Sequence, residues 1–379
     1  MDQLCRPLIE VLAEIPDPRQ ARGKRYPLTA VLALACVAML CGYRSYGAIA
    51  EWGRNYGAAL VEALGFEGEC TPCAATLHLI FRALDRAALE DALGRWAEGV
   101  LAATPVPEGD IEAVACDGKA LRGSRKQGAT GAHLLSAVSQ RLGLTMAQQA
   151  VDAKTNEIPV LPEVLRGIVL EGRVVTMDAL LTQRAVAAAV VEGQGDYVMV
   201  AKDNQPGLRA TIAAVLATPP HLAAPPATAQ TLDLGHGRIE RRRLTVRALL
   251  PGDCAWPGAR QVFVIERHVV VKKTGKERHE CVYGVTSLAP ERARAPELLR
   301  LLRGHWRIEN RTHWVRDVTF DEDRSQVRTG AIPQVMAALR NTTIGLLRAA
   351  GATNIAATGR HYAAQPQAAL ALIGLDAEN

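Results

Sequence analysis

His305, Glu309, His313 and Arg316 recur at i, i+4, i+8 and i+11 within RGHWRIENRTHWVRDVTFDED, residues 303–323. At about 100° per residue these four fall on one helical face. A carboxylate flanked by two imidazoles and a guanidinium is unusual for a solvated helix, whose surface normally mixes lysine and glutamate. Such a face can hold a metal ion, or a phosphate beside one. It can also be an amphipathic helix whose His and Glu simply hydrogen-bond to each other, with Trp306 and Trp314 on its apolar side. The spacing of His305, Glu309 and His313 also suits three ligands of a single zinc. Asp317 lies about 80° round the helix from Glu309. The acidic group Asp317, Asp321, Glu322 and Asp323 could supply a carboxylate in place of Glu309, but reads better as capping or salt-bridging residues.

Two further carboxylates stand at strand ends. An apolar strand over 111–116 leads into Asp117, and a strand over 173–177 leads into Asp178. In open α/β sheets, sites gather at the carboxyl ends of strands. If these two strands are neighbours, Asp117 and Asp178 approach each other, which is the ribonuclease-H-like arrangement. A lone zinc on the 303–323 helix would leave both without a task.

The elements that must position these groups follow an α/β order. Strands at 133–139 and 144–151 follow the first. A helix over 156–167, the strand before Asp178, a helix over 182–192, a strand over 196–201 and a helix over 206–217 complete the series. A Pro/Ala loop at 219–226 opens a β-rich insertion, residues 220–290, with strands at 244–249, 261–271 and 281–286. The last two are joined by a turn at Thr274-Gly275. The Glu309 helix spans 296–315, and a last amphipathic helix spans 333–350. Residues 351–379 read as a loosely packed tail. Ahead of the α/β part, residues 1–103 are helical, with a linker at 104–109. The helix over 28–41 is apolar throughout and reads as buried. These boundaries define an N-terminal helical domain (1–103), a catalytic domain (110–350) and the tail.

Composition narrows the class. The chain has 379 residues, 49% of them hydrophobic, and a formal charge of +5. That is ordinary for a globular protein and permits a nucleic-acid partner without requiring one. The N-terminus lacks a basic start followed by an apolar core, and the run 28–41 is shorter than the ~20 residues of a bilayer span. The expected location is the cytoplasm, with no membrane partner. There the eight cysteines would be free thiols, and Cys70-Thr-Pro-Cys73 is a single CxxC without a second pair. Basic clusters occur at 19–25, at Arg238 and Arg241 within Gly235-His-Gly-Arg-Ile-Glu-Arg-Arg-Arg243, and at Lys272, Lys273, Lys276 and Arg278. They suit a DNA backbone, although lysines on an edge strand also prevent aggregation. No nucleophile elbow or phosphate-cradling glycine loop is present, which removes the common α/β hydrolase and nucleotidase readings.

With these residues assembled, nearly the whole chain resembles the H-repeat-associated (ISAs-type) insertion-sequence transposases of the DDE class. The matching motifs are, in order, Ile15-Pro-Asp-Pro-Arg19, Ala48-Ile-Ala-Glu-Trp52, Asp117-Gly-Lys-Ala-Leu-Arg-Gly-Ser124, Lys154-Thr-Asn-Glu-Ile-Pro159, Asp178-Ala-Leu-Leu-Thr-Gln183, Lys202-Asp-Asn-Gln205, Gly235-His-Gly-Arg-Ile-Glu240 and His305-Trp-Arg-Ile-Glu-Asn310 with His313-Trp314. The resemblance implies a ribonuclease-H-like core with Asp117, Asp178 and Glu309 as its acidic triad, a β insertion before Glu309 and a helical N-terminal domain. It implies cutting and joining of DNA at terminal inverted repeats, with two Mg²⁺ or Mn²⁺ ions on the triad and Asp117 bridging them. Lys119, Arg122, His305 and Arg316 would then meet phosphates, and Arg238 and Arg241 the DNA. It further implies double-stranded DNA as partner and a homodimer or larger assembly. A domesticated nuclease or an inactive DNA-binding remnant would share these features. Related transposases often carry Tyr, Arg and Lys around the last Glu, where this chain has Leu302, His305 and Arg316. The tyrosine role is absent, and His305 and Arg316 are the expected carriers of the basic one.

Overall fold

The computed structural model describes residues 6–67, 70–125, 131–152, 155–219, 221–235 and 237–375. Cys5, Lys154 and His236, named above within motifs or counts, lie outside these residues. Six helices come first: α1 (Leu8–Ala13), α2 (Leu28–Leu40), α3 (Tyr46–Asn55), α4 (Ala58–Ala63), α5 (Ala74–Ala83) and α6 (Arg86–Ala103). Then follow β1 (Ala113–Ala120), β2 (His133–Ser139), β3 (Thr145–Val151), α7 (Leu161–Arg166), β4 (Val174–Met177), α8 (Arg184–Glu192), β5 (Asp196–Ala201) and α9 (Pro206–Ala217). Strands β6 (Ala227–Gly235), β7 (Arg238–Ala248), β8 (Gln261–Val271) and β9 (Glu277–Thr286) precede α10 (Ala295–His305), α11 (Ile332–Ala349), α12 (Ile355–Ala364) and α13 (Pro366–Ile373).

All nine strands form one mixed sheet in the order β3-β2-β1-β4-β5-β9-β8-β7-β6. Strand β1 is antiparallel to β2 and parallel to β4, and β4 is parallel to β5. Strand β9 joins β5 antiparallel, so the β-rich insertion extends the main sheet instead of standing apart. It holds four strands, not three. The unforeseen β6 reads ATAQTLDLG and is a largely exposed edge strand, whose two alternating apolar residues, Leu232 and Leu234, are themselves exposed and give too short a pattern to mark a strand. The helix expected over 156–167 shrinks to α7, because Pro159 disfavours helical geometry at the residue before it.

Side chains alternate across a strand, and that alternation sorts β1 and β4 into two faces. Val114 and Cys116 join Val175 and Met177 in the core under α7 and α8. Ala113 and Val174 pack instead with Leu298, Leu299, Leu301 and Leu302 of α10, and Ala115 packs with Ile308. Helix α10 begins with Pro296 in its first turn and a bond from Arg294 N to Glu297 Oε2 of 3.0 Å. It lies across β1, β4, β5 and the insertion strands β6 and β7.

The helices of residues 8–103 share one core with the rest of the chain. All of α2 but Thr29 is buried. It packs against α11, α12 and α13, while α6 packs on β3 and α11. The stretch Ala21–Leu40 is long and apolar enough to cross a membrane by length and composition, yet 67% of it is buried inside the protein. Residues 352–375 of the tail are not loose. Ala369, Leu370 and Ile373 are fully buried, and each large aliphatic chain contributes about 1.5–3 kcal/mol by leaving water. The seven described cysteines are free thiols.

Candidate active site

Cys116 pairs with Met177 at the last rung of the parallel β1–β4 ladder. Asp117 and Asp178 are therefore consecutive neighbours at the same level, on the face that α10 covers. Strand β1 runs on to Ala120 against β2, so Asp117 sits within a strand, not at its end as the sequence suggests. Asp178 opens a tightly held loop. Its Oδ1 accepts from Leu181 N at 3.1 Å, and Thr182 Oγ1 donates to Asp178 O at 2.9 Å and to Val200 O at 2.7 Å. Asn204 Nδ2 reaches Ala179 O at 2.6 Å and Gln205 Nε2 reaches Thr182 O at 3.1 Å. The Lys202-Asp-Asn-Gln205 motif thus latches the loop that carries Asp178, a role its spacing did not disclose.

Glu309 arrives on the helical continuation of α10, and here the winding departs from expectation. Glu309–His313 and Val315–Thr319 are π-helical. A π turn takes roughly one residue more than an α turn, so the face projected at 100° per residue is dispersed. Glu309 and His305 line the cleft with Asp117 and Asp178. Arg316 is swung away and is fully buried, bonded through Nε to Glu322 Oε2 at 2.9 Å. Arg340 reaches the other oxygen of Glu322 at 2.8 Å. Arg316 is therefore a core ion-pair partner and not a phosphate contact. Lys119 is also buried, with its Nζ 2.6 and 2.7 Å from the two oxygens of Asp317. Arg122 is exposed, 3.8 Å from Asp323. Arg238 and Arg241 point to opposite faces of β7: even-numbered Leu244 and Val246 face α10, whereas odd-numbered Arg247 bonds to carbonyls at the end of α9.

His305 Nδ1 lies 3.1 Å from Thr176 Oγ1, and burial holds its pKa down at about 4. It is neutral at pH 7, so it offers a phosphate no charge. His313 Nδ1 is 3.6 Å from Asp117 Oδ2. Burial, then Arg316 and Lys119, push its pKa down to about 3, so this contact is not an ion pair at neutral pH. Its Nε2 has no hydrogen-bond partner. Engaged with Thr176 and Asp117, the two imidazoles do not converge with Glu309 on one zinc, and no such cluster occurs among the described residues.

Electrostatics mark Asp117 as the strained member. Burial, then the charges of Asp178, Glu157 and Glu309, push it up to about 7 despite a bond from Gly118 N at 2.9 Å. Asp178 is raised as well, chiefly by burial and then by Glu157. Glu157 belongs to the Lys154–Pro159 motif. It bonds His133 Nε2 at 2.7 Å directly over Gly118, where a Cβ would lie 1.8 Å from Glu157 Oε1. A set of carboxylates that repel one another fits a hard divalent cation, which prefers oxygen ligands. Asp117, Asp178 and Glu309 are not all gathered within the 4.8 Å span of a one-ion cluster.

The cleft has a volume of about 670 Å³. Its far wall is the insertion sheet, where Arg242 and Arg267 are paired with Asp233, Glu240 and Glu280, and Arg303 of α10 reaches across to Asp233 at 2.8 Å. Trp306 stands half exposed in the mouth, with the Arg267 guanidinium 5.6 Å from its ring centre.

Comparison with known proteins gives this arrangement a family. Residues 108–346 match the model described as Transposase DDE domain, and residues 9–97 match its companion, DDE_Tnp_1-associated. The transposase-named protein YncI of Escherichia coli O157:H7 is 27% identical over 352 residues, 90% of this chain and 87% of that protein. The H repeat-associated, transposase-named YhhI of Escherichia coli K12 is 26% identical over 90% of both chains. A protein in the dhlA 3′ region of Xanthobacter autotrophicus is 34% identical over 66% of this chain and 85% of its own length. The chain belongs to the Transposase DDE domain family, with the H repeat-associated proteins among its relatives.

Proposed function

We propose that this transposase cuts and joins DNA at the ends of its own insertion sequence by metal-dependent phosphoryl transfer. In this reading residues 110–350 form a ribonuclease-H-like catalytic domain with 220–290 as its β insertion, behind a helical N-terminal domain (1–103). The observation that carries it is the meeting of Asp117, Asp178 and Glu309 in one cleft, from adjacent parallel strands and from the helix that crosses them. The parallel β1–β4 pair with a carboxylate at each matched position supports the ribonuclease-H-like reading.

Asp117, Asp178 and Glu309 would hold two Mg²⁺ or Mn²⁺ ions. When bound, such ions supply Lewis-acid activation of the attacking oxygen and neutralise charge on the leaving one. The chain's own residues do the positioning. The Thr182, Asn204 and Gln205 bonds fix the Asp178 loop, and Thr176 fixes His305. Lys202, Arg267 and Arg307 line the cleft beside the triad and give phosphates cationic partners. No side-chain nucleophile is required, because water and a DNA 3′-hydroxyl are the attacking groups. The partner is double-stranded DNA, at inverted repeats and then at a target, engaged by a homodimer or larger assembly beside the nucleoid in the cytoplasm.

Joining is what separates a transposase from a nuclease descended from one. Pre-cleaved end duplexes with free 3′-hydroxyls, mixed with plasmid and Mg²⁺, should yield covalently joined product with the wild type and none with Asp178→Asn. Cleavage of intact ends without any joining of pre-cleaved ones would favour the domesticated-nuclease reading.

A further inference from the structure

The β8–β9 hairpin carries a second constellation, on the sheet face away from the cleft. His268 and His279 are direct cross-strand partners, and Glu277 lies two residues before His279 on the same face of β9. The imidazoles stack with centroids 4.1 Å apart and planes 12° from parallel. Both direct Nε2 at one oxygen: Glu277 Oε2 is 3.0 Å from His268 Nε2 and 3.6 Å from His279 Nε2. One potential ligand atom from each residue lies within 4.8 Å of the other two, and this is the sole cluster of its kind among the described residues.

We propose that His268, Glu277 and His279 form a zinc site that clips β8 to β9 near the end of the hairpin. Zinc bonds to imidazole nitrogen and carboxylate oxygen are about 2.0–2.2 Å, so the edge of a zinc tetrahedron is about 3.3 Å. The observed carboxylate-to-imidazole separations of 3.0 and 3.6 Å straddle that edge, and metal binding requires the stacked rings to turn out of parallel so that both Nε2 lone pairs meet one ion. Two imidazoles and a carboxylate are borderline ligands, which select zinc over the Mg²⁺ or Mn²⁺ suited to an all-carboxylate set. The three side chains are a third or more exposed, so the ion has an entry path, and its fourth position is left to water. His268↔His279 lies one step inside the final rung but one, with Val270↔Glu277 as the last pair. A metal there restrains the tip of the arm that forms the far wall of the cleft. This site shares no residue with the triad and stands whether or not the cutting-and-joining reading does.

The test is calorimetric titration of the full, chelator-treated chain with Zn²⁺ in excess Mg²⁺, followed by Co²⁺ substitution. One Zn²⁺ should bind per chain in the wild type and in Asp117→Asn. His268→Gln and His279→Gln should each weaken it by more than about tenfold with unchanged circular dichroism. Bound Co²⁺ should show visible d–d bands without thiolate charge transfer. Wild-type affinity in both histidine variants, or no zinc binding at all, would overturn the site. So would binding that is lost in the Cys70→Ser/Cys73→Ser chain instead.

Discussion

Asp117→Asn should make the metal-free protein more stable at pH 8, although it removes a residue central to the proposed chemistry. Asp117 is pushed from an ordinary 3.8 up to about 7, by burial and then by the neighbouring carboxylates, and only 22% of its side chain is exposed. Between about pH 4 and 7 the folded chain holds a proton that the unfolded chain has released, so stability falls as pH rises through that window and is level above it. At about 1.36 kcal/mol per pH unit, the ionised carboxylate costs on the order of 4 kcal/mol at pH 8. Asparagine keeps the shape and an acceptor for Gly118 N–H but carries no charge. An unfolding entropy of about 2.1 cal/mol/K per residue gives about 0.8 kcal/mol/K for a chain of 379 residues. The variant should then melt roughly 5 °C above the wild type at pH 8, and only about 2 °C above it at pH 5. Scanning calorimetry in EDTA measures both. Mn²⁺ should raise the wild-type midpoint and narrow the gap. A variant that melts at or below the wild type at pH 8 in EDTA would refute the claim that mutual repulsion and burial strain this carboxylate.

Three further substitutions probe the support of the site. Glu322→Ala strands the buried Arg316 and Arg340 guanidiniums and should cost about 3–5 kcal/mol in urea denaturation; a loss under about 1 kcal/mol would contradict their dependence on Glu322. Burial alone would raise the Glu322 carboxyl, but Arg316 and Arg340 outweigh it and hold it below the ordinary 4.5. This stabilisation is therefore complete above that pH and is lost as pH falls through the lowered value. Gly118→Ala drives a methyl against Glu157 and His133 and should cost about 1–3 kcal/mol. Adding Glu157→Ala to the same chain should recover part of that loss, and strict additivity in the double-mutant cycle would show that the two do not meet. Lys119→Met leaves Asp317 unpaired and should cost about 1–3 kcal/mol while the salt dependence of DNA binding stays unchanged. A slope reduced by about one would put Lys119 on a phosphate after all.

The parts of the chain legible in sequence were those governed by local periodicity. The apolar run at 28–41 and the strands leading to Asp117 and Asp178 follow from residue patterning, whereas the pairing of those strands, which sets both aspartates side by side, comes from the sheet. What was not legible depended on partners distant in sequence or on departures from regular winding. Arg316 was placed beside Glu309 by α-helical arithmetic, and two π-helical segments removed it. Lys119 looked free until Asp317, 198 residues away, closed on it. Edge strand β6 offers only Leu232 and Leu234 at alternating positions, too short a pattern to announce it. The tail reads as Ala-rich and featureless, and only the groove beside α2 gives Leu370 and Ile373 a place to be buried. Glu157 had a motif but no visible task until His133 and Gly118 came under it.

The central claim is that Glu309 completes a catalytic carboxylate set with Asp117 and Asp178. The most direct measurement is cleavage of supercoiled plasmid carrying the element ends, wild type beside Glu309→Gln, with Mg²⁺, Mn²⁺ and Ca²⁺. The wild type should cleave with Mg²⁺ or Mn²⁺ but not with Ca²⁺, and the variant should not cleave at all even though it still binds the ends. Cleavage that persists in Glu309→Gln would contradict it and turn attention to Asp317 and the acidic residues that follow.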